Sequence, residues 1–320
     1  MRMAKKVIAT LVCLAVLLGA GFSFGCAQKA DGVEILCTVF PIYDWARSVI
    51  GDSDGVTLSL LVENGTDIHS FQPSFSDVVK IKRCDVLILV GGESDKWVAE
   101  AAGEDTTVIR LSELEGITLY DVSSQSGAHD HGEHEHGAGH VDHAFDEHLW
   151  LSVANARIAS SAICEALCSL DGENKEDYKK NLATYSAELS LLDEKFEMVT
   201  KGADDTLIFA DRFPFVYLFE DYGLKYYAAF EGCTTDMNAN FETVVRLARA
   251  ADGQSGRWVL VTEGSDRALA ESVIRASSRA DLEIRTLDSM QSLNGDDIRN
   301  GATYIGIMES NLEVLGEILK

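Results

Sequence analysis

The chain has 320 residues, of which 46% are hydrophobic and 25% charged, and a formal net charge of −25 at pH 7. This length and composition are typical of a folded protein with room for two domains, and they argue against a disordered or fibrous chain. The negative charge argues against nucleic acid as a partner, because binding to a phosphate backbone needs clustered Lys and Arg.

Residues 1–25 have the layout of a secretory signal peptide. A basic start precedes an apolar stretch from Val7 to about Ala20, which is too short for a stable membrane-spanning helix. Cys26 follows small residues and resembles the modified Cys of bacterial lipoproteins. We therefore expect a diacylglycerol anchor on Cys26 that holds the protein at the outer face of the bacterial cell membrane. The alternative is a soluble secreted protein in which Cys26 is a free thiol.

Apolar runs alternate with amphipathic helical patterns after the leader, which favours parallel α/β units. The first block predicts an N-terminal lobe over 33–172, with strands at 33–40, 56–62, 85–91 and 107–112. Helices are predicted at 42–50, 74–83, 94–102 and 152–170.

A single long helix is expected over 173–202. Its apolar residues follow alternating steps of four and three, with no Pro or Gly between them: Tyr178, Leu182, Tyr185, Leu189, Leu192, Phe196 and Val199. A rigid connector between two lobes is the simplest interpretation, and it suits a monomer. A coiled-coil dimer seam would show the same spacing.

The second block, 203–320, repeats the first pattern. Strands are predicted at 206–211, 225–230, 258–264 and 282–288, and helices at 213–223, 241–251, 267–278 and 302–320. The predicted fold therefore has two Rossmann-like α/β lobes with parallel sheets, joined by one long helix, with a cleft between the lobes. Ligands of open parallel sheets bind at the carboxyl ends of the strands.

Two histidines stand at favourable places for a ligand. His69 follows the second strand in a polar loop bounded by Gly65 and Pro73. His148 precedes a helix and is followed by Leu149 and Trp150, whose packing should fix the imidazole.

Carboxylates follow two strands of the second lobe. Asp211 ends its first strand, and Glu263 and Asp266 end its third, although Asp266 alone would also serve as a helix N-cap. Two His and two such carboxylates meeting at one cleft would accept a divalent cation, with zinc and manganese both possible.

The chain resembles the substrate-binding lipoproteins of bacterial zinc and manganese ABC transporters over residues 33–320. The resemblance is carried by the His69-xxx-Pro73 loop, the HLWLS segment from His148, the Tyr178-xx-Asn181 start of the long helix and the DYGL at 221–224. It implies two nearly rigid lobes that clamp one metal ion and deliver it to a membrane permease with its ATPase.

The sequence departs from this family at the third ligand. Relatives place a His or a Glu there, whereas this chain has Ala210-Asp211-Arg212-Phe213. If the chain is aligned with relatives at Tyr222 without gaps, the position of the third ligand falls on Arg212, which cannot coordinate a cation. A shift of one residue places it on Asp211. The predicted metal ligands are therefore His69, His148, Asp211 and Asp266, with Glu263 as the alternative to Asp266.

A histidine-rich tract at 127–143 precedes His148. It contains six histidines, His129, His131, His134, His136, His140 and His143. Gly, Ser and Ala flank them, so we expect a mobile accessory loop that collects zinc weakly and not a catalytic metal centre. A solubilising loop without function is the other interpretation. In the resembling family, such an insertion is typical of zinc-selective members.

Together these features predict an extracytoplasmic, lipid-anchored protein that captures Zn²⁺ for an ABC importer and is not an enzyme. A manganese- or iron-binding protein of the same class is the alternative. An extracellular metal-dependent hydrolase is a third hypothesis. Against it, the sequence shows no His triad on an ordered scaffold.

Overall fold

Two parallel four-stranded sheets with the same strand order organise the residues that the structure describes. The structure is a computed structural model that describes residues 32–63, 65–121, 145–230 and 241–320. The sheets run β2-β1-β3-β4 and β6-β5-β7-β8, so each lobe begins with an inner strand and then crosses to an edge. The predicted signal peptide, Cys26 and the histidine tract lie outside the described residues.

The N-terminal lobe alternates strands and helices as predicted. Its strands are β1 Val33–Cys37, β2 Val56–Leu60, β3 Val86–Leu89 and β4 Thr107–Arg110. Its helices are α1 Phe40–Ile50, α2 Phe75–Arg83 and α3 Lys96–Ala101. Helix α2 starts at a capping box in which the Ser74 side chain accepts the Asp77 N–H and the Asp77 side chain accepts the Ser74 N–H.

Two helices follow, α4 Val153–Leu170 and the 26-residue α5 Lys175–Thr200. The apolar stripe of α5 is covered within the chain by α1, α4 and the last helix, α10 Tyr304–Ile318. The side chain of Asn181 fixes α5 to α1 by donating to the carbonyls of Val49 and Ile50 at 3.1 and 3.3 Å. The stripe is therefore an internal packing face and not a dimer seam.

The C-terminal lobe repeats the arrangement. Its strands are β5 Thr206–Phe209, β6 Lys225–Ala228, β7 Trp258–Thr262 and β8 Glu283–Leu287. Its other helices are α6 Val216–Asp221, α7 Phe241–Asp252, α8 Ala268–Ala276 and α9 Gly295–Arg299. Helix α9 was not predicted; it is one short turn that begins at a capping box between Asn294 and Asp297.

One apolar core extends through both lobes and α5, while the outer face of each sheet has a smaller core of its own. The two-residue period of a strand produces this division. In β5, Leu207 and Phe209 point to the shared core and Ile208 points to the outer one. Because the shared core joins the lobes, their carboxyl-terminal sheet edges are held against each other.

The predicted fold class is confirmed: two parallel α/β lobes are joined by a long helix. Most predicted strands end a few residues too late, because the last apolar residues belong to the loops that bear polar side chains. Phe40, for example, begins α1 and does not end β1. Within the described ranges, none of the helices has the length and apolar character needed to cross a membrane.

Candidate metal centre

Two imidazoles meet where the loop after β2 approaches the segment before α4. The Nε2 atoms of His69 and His148 are 3.5 Å apart, and the ring centroids are 5.4 Å apart. Two nitrogens bound to one tetrahedral zinc ion at about 2.0–2.1 Å would be roughly 3.4 Å apart. The spacing of the two histidines therefore matches that of two ligands of one ion.

His148 is fixed by buried neighbours. It is 1% exposed, and its Nδ1 is 2.7 Å from Asp146 Oδ1, which also accepts the His148 N–H at 2.9 Å. The neighbouring Trp150 ring packs edge-on against the imidazole at 5.1 Å, and its Nε1 donates to the carbonyl of Ser289 in the other lobe. A carboxylate on Nδ1 leaves the Nε2 lone pair for a cation, as in carboxylate–histidine–zinc arrangements.

His69 is held less deeply, in a single 3₁₀ turn. The turn is capped by Asp67, whose Oδ1 accepts the His69 N–H at 3.0 Å. The His69 Nδ1 lies 2.7 Å from the Ser94 hydroxyl and 3.7 Å from Glu147 Oε2. Glu147 also accepts the Ser94 N–H at 3.0 Å, so Ser94 and Glu147 form one support for this ring.

A buried carboxylate shapes the loop that bears Ser94. Asp95 accepts N–H groups from Val90, Gly91 and Gly92 and the hydroxyl of Thr38. Burial raises the pKa of Asp95 to about 6. The loop after β3 is thus closed around Asp95, which sets the position of Ser94 beneath His69.

The C-terminal lobe presents Arg212 and Gln291 to this pair. The Arg212 Nη1 is 3.0 Å from Asp67 Oδ2 across the cleft. With its amide nitrogen toward the cleft, Gln291 donates to His148 Nε2 and to the Asp67 carboxylate, each at 3.2 Å, and its oxygen accepts from the Ser289 hydroxyl. The lobe opposite the histidines therefore contributes a guanidinium group and a side-chain amide.

The predicted carboxylate ligands of this lobe have other contacts. Asp211 accepts the backbone N–H and the hydroxyl of Thr262 at 3.3 and 2.9 Å. Asp266 is exposed and accepts the N–H of Ala268, the first residue of α8, although the N-cap residue of that helix is Arg267. Glu263 accepts from Ser289 N–H and Oγ at 2.8 and 2.6 Å.

The four-ligand set predicted from the sequence is not assembled in this structure. Across the described residues, no group of three or more His, Cys, Asp or Glu side chains is placed to hold a metal ion. His69 and His148 are brought together, whereas Asp211 and Asp266 bind backbone groups of their own lobe. The ungapped count reached Arg212, and this residue pairs across the cleft with Asp67, two residues before His69.

Sequence reasoning missed five polar residues around the pair: Asp67, Ser94, Asp146, Glu147 and Gln291. Three had a usable signal, because Asp67 and Asp146 each stand two residues before a candidate His, and Glu147 directly precedes His148. Acidic residues beside a candidate metal-binding His are natural partners for its second nitrogen. Gln291 had no such signal, since it belongs to an irregular loop after β8.

Comparison with known proteins agrees with this architecture. The model of the family described as zinc-uptake complex component A, periplasmic, matches residues 35–318. The fold and the paired histidines define a two-lobed α/β binding protein, and the chain belongs to this zinc-uptake family.

Two curated relatives illustrate the range of the match. The zinc-binding lipoprotein AdcA of Streptococcus pneumoniae serotype 4 is 29% identical over 317 residues, covering 97% of this chain and 60% of AdcA. The high-affinity zinc uptake system protein ZnuA of Bacillus subtilis strain 168 is 27% identical over 316 residues, covering 98% of this chain and 96% of ZnuA. The chain thus spans about 60% of the length of the AdcA relatives that it matches.

Solved structures show the same fold. The metal-dependent lipoprotein YcdH from Bacillus subtilis superposes with a TM-score of 0.72 at 23% identity, covering 90% of this chain and all of YcdH. The Zn(II)-bound ZnuA-like domain of Streptococcus pneumoniae AdcA gives a TM-score of 0.70 at 24% identity, covering 90% of this chain and 99% of that domain.

Proposed function

We propose that this protein captures Zn²⁺ outside the cytoplasm and delivers it to the membrane permease of an ABC importer. The observation that carries the proposal is the 3.5 Å approach of the Nε2 atoms of His69 and His148. Each ring has its Nδ1 engaged, by Asp146 and by Ser94, and the two Nε2 atoms converge on the same point of the cleft.

Zinc suits this pair better than manganese does. Imidazole nitrogens are good zinc ligands, whereas Mn²⁺ prefers carboxylate, carbonyl and water oxygens. The six histidines of the 127–143 tract favour the same ion, since neutral imidazoles near pH 7 collect zinc weakly. Matched relatives are named for zinc binding or zinc uptake, which agrees with this choice.

The partners follow from the family. A binding protein of this kind serves a permease and its ATPase, and the proposed lipid on Cys26 would keep it beside them at the outer face of the membrane. AdcA of Streptococcus pneumoniae is named a lipoprotein, which supports the anchor. Mass spectrometry of the mature N-terminus tests it; an unmodified Cys26 would overturn the anchor without affecting the metal site.

Calorimetry can test the metal site without interference from the histidine tract. We would remove 127–143, strip the protein of metal, and titrate it with Zn²⁺ and, separately, with Mn²⁺. One tight zinc site is expected to remain, with weaker binding of Mn²⁺. His69→Ala and His148→Ala in this background should each abolish tight binding, because each removes one of two converging nitrogens.

A third variant, Asp266→Ala, serves as the control. Its carboxylate is exposed and accepts the Ala268 N–H at the start of α8, so the expected result is unchanged zinc affinity with slightly lower stability. Tight zinc binding that survives both His substitutions would overturn the proposed site. Loss of all tight binding on deletion of 127–143 would instead assign capture to the tract.

A further inference from the structure

The Asp67 carboxylate contacts both His69 and the opposite lobe. One of its oxygens, Oδ1, accepts the His69 N–H and lies 4.0 Å from His69 Nε2. The other, Oδ2, lies 3.0 Å from Nη1 of Arg212. The side chains of Asp67 and Arg212 are 16% and 32% exposed, so water screens this pair only in part.

We propose that Asp67 is the third protein ligand of the captured ion and that Arg212 competes with the ion for it. This inference rests on the function proposed above. In the arrangement described, the guanidinium holds Asp67 across the cleft. When the divalent cation binds between His69 and His148, it takes Asp67 and displaces Arg212.

The distances fit a small movement of the carboxylate. Ligand atoms that share a tetrahedral zinc ion lie roughly 3.4 Å apart, given bond lengths of about 2.0–2.2 Å. Asp67 Oδ1 is 4.0 Å from His69 Nε2, so a shift of about 0.6 Å would bring it to that spacing from His69. Its anchoring N–H bond from His69 lies on the same loop and can follow this shift.

The charges favour the exchange. A divalent ion attracts Asp67 about twice as strongly as the guanidinium does at equal distance, and it repels Arg212. Gln291 responds to the same event, because its amide nitrogen donates to both Asp67 and His148 Nε2, the two groups that the cation would take. Capture of the ion would thus break the contacts that Arg212 and Gln291 make from the C-terminal lobe to the histidine side of the cleft.

This competition makes Arg212 an affinity-determining residue that does not touch the ion. A site with two His and a free carboxylate would bind zinc more tightly than one whose carboxylate must first leave an arginine. The protein would therefore hold zinc at an affinity lowered by Arg212, which eases release to the permease.

A double-mutant cycle tests the proposal, using the variant lacking 127–143 as the background. Arg212→Gln is expected to tighten zinc binding by about tenfold, because it frees Asp67 and removes a nearby positive charge. Asp67→Asn should weaken binding by about tenfold or more, because it removes the anionic ligand. In the Asp67→Asn protein, Arg212→Gln should give a much smaller gain.

Two control variants separate competition from structure. Arg212→Lys keeps the positive charge and should leave the affinity near that of the background. Arg47→Gln removes another half-exposed arginine paired with a carboxylate, Asp44, and should leave zinc affinity unchanged. Thermal unfolding of each metal-free variant, followed by circular dichroism, shows whether it is folded before its affinity is compared.

The outcomes distinguish this inference from the proposed function. If His69→Ala and His148→Ala retain tight zinc binding, the site itself is wrong. If those variants lose binding but Arg212→Gln binds zinc no more tightly than the background, the competition is refuted. Equal gains from Arg212→Gln with and without Asp67 would also refute it, and unchanged affinity in Asp67→Asn would exclude Asp67 as a ligand.

Discussion

The two lobes have the same strand order but different chemistry where they face each other. At the N-terminal lobe, the polar loops present two imidazoles, each supported through Nδ1. At the C-terminal lobe, the equivalent edge presents Arg212 and Gln291. One lobe thus supplies the proposed metal-binding nitrogens, and the other supplies side chains that contact His148 and Asp67. A repeated scaffold does not imply a repeated contribution to the site.

The support of the two histidines also differs. His148 is buried and rests on a carboxylate, whereas the His69 side chain is 18% exposed and rests on a hydroxyl. A charged acceptor makes the ligand more basic than a neutral one does. His148 should therefore be the more rigid of the two proposed ligands.

The largest expected effect in this comparison is at Asp146. Asp146→Asn keeps the size of the side chain but replaces the carboxylate at His148 Nδ1, so zinc affinity should fall about 10–100-fold. Ser94→Ala, at the corresponding position of His69, should cost less because only a neutral hydroxyl is lost. Calorimetry in the background lacking 127–143 measures both, and an equal loss for the two would contradict the distinction between the supports.

A smaller effect is expected at Gln291 in the C-terminal lobe. Its amide donates to His148 Nε2, the same lone pair that a cation would take, so Gln291→Ala should tighten zinc binding by roughly two- to fivefold. Ser292→Ala, one residue further along the loop, is the matched control and should not change the affinity. Weaker binding in Gln291→Ala would indicate that the amide assists the ion and does not oppose it.

The remaining two predictions concern stability and compare a buried carboxylate from each lobe. Burial raises the pKa of both Asp95 and Asp288 to about 6, and Glu263 contributes to the shift at Asp288. A raised carboxyl pKa gives stability that is fully present below about pH 4 and is lost as pH rises through 6. Asp288→Asn should therefore be more stable than the unmodified protein above pH 6, by ~1–3 kcal/mol, and the difference should vanish below about pH 4.

Asp95→Asn should behave in the opposite way at pH 7.5. Asp95 accepts three backbone N–H groups and a hydroxyl, and an amide nitrogen would face one or more of these donors. The expected loss is ~1–3 kcal/mol, because a buried donor would be left without an acceptor. Urea unfolding at pH 4, 5.5 and 7.5 measures both variants, and parallel pH profiles for Asp288→Asn and the unmodified protein would contradict the assignment.

Much of the fold could be predicted because it depends on local periodicity. The stripe along α5 has a helical period over 26 residues, and Tyr178, Leu189 and Phe196 are buried as it requires. The four-residue run of β3 is fully buried, as expected for an inner parallel strand. Helix α9 could not be found in this way, because a helix of five residues has no apolar period to detect.

The site was predictable only on one side of the cleft. His69 and His148 are the two histidines outside the tract, and each lies in a short segment fixed by its neighbours. On the other side, the choice between Asp211 and Arg212 depends on a single residue. These neighbours in the loop after β5 have different partners, because Asp211 accepts from Thr262 in its own lobe and Arg212 reaches Asp67 in the other.

The sequence by itself determined the two α/β lobes, the long helix between them and the two histidines that meet in the cleft. These follow from hydrophobic period and from side chains placed after strands, which are properties of short segments. Only the tertiary structure decided that Arg212 and Gln291 reach the histidine side of the cleft, and that Asp211 and Asp266 bind backbone groups of their own lobe. The contacts of Arg212 and Gln291 join residues far apart in the chain, which no local pattern of residues specifies.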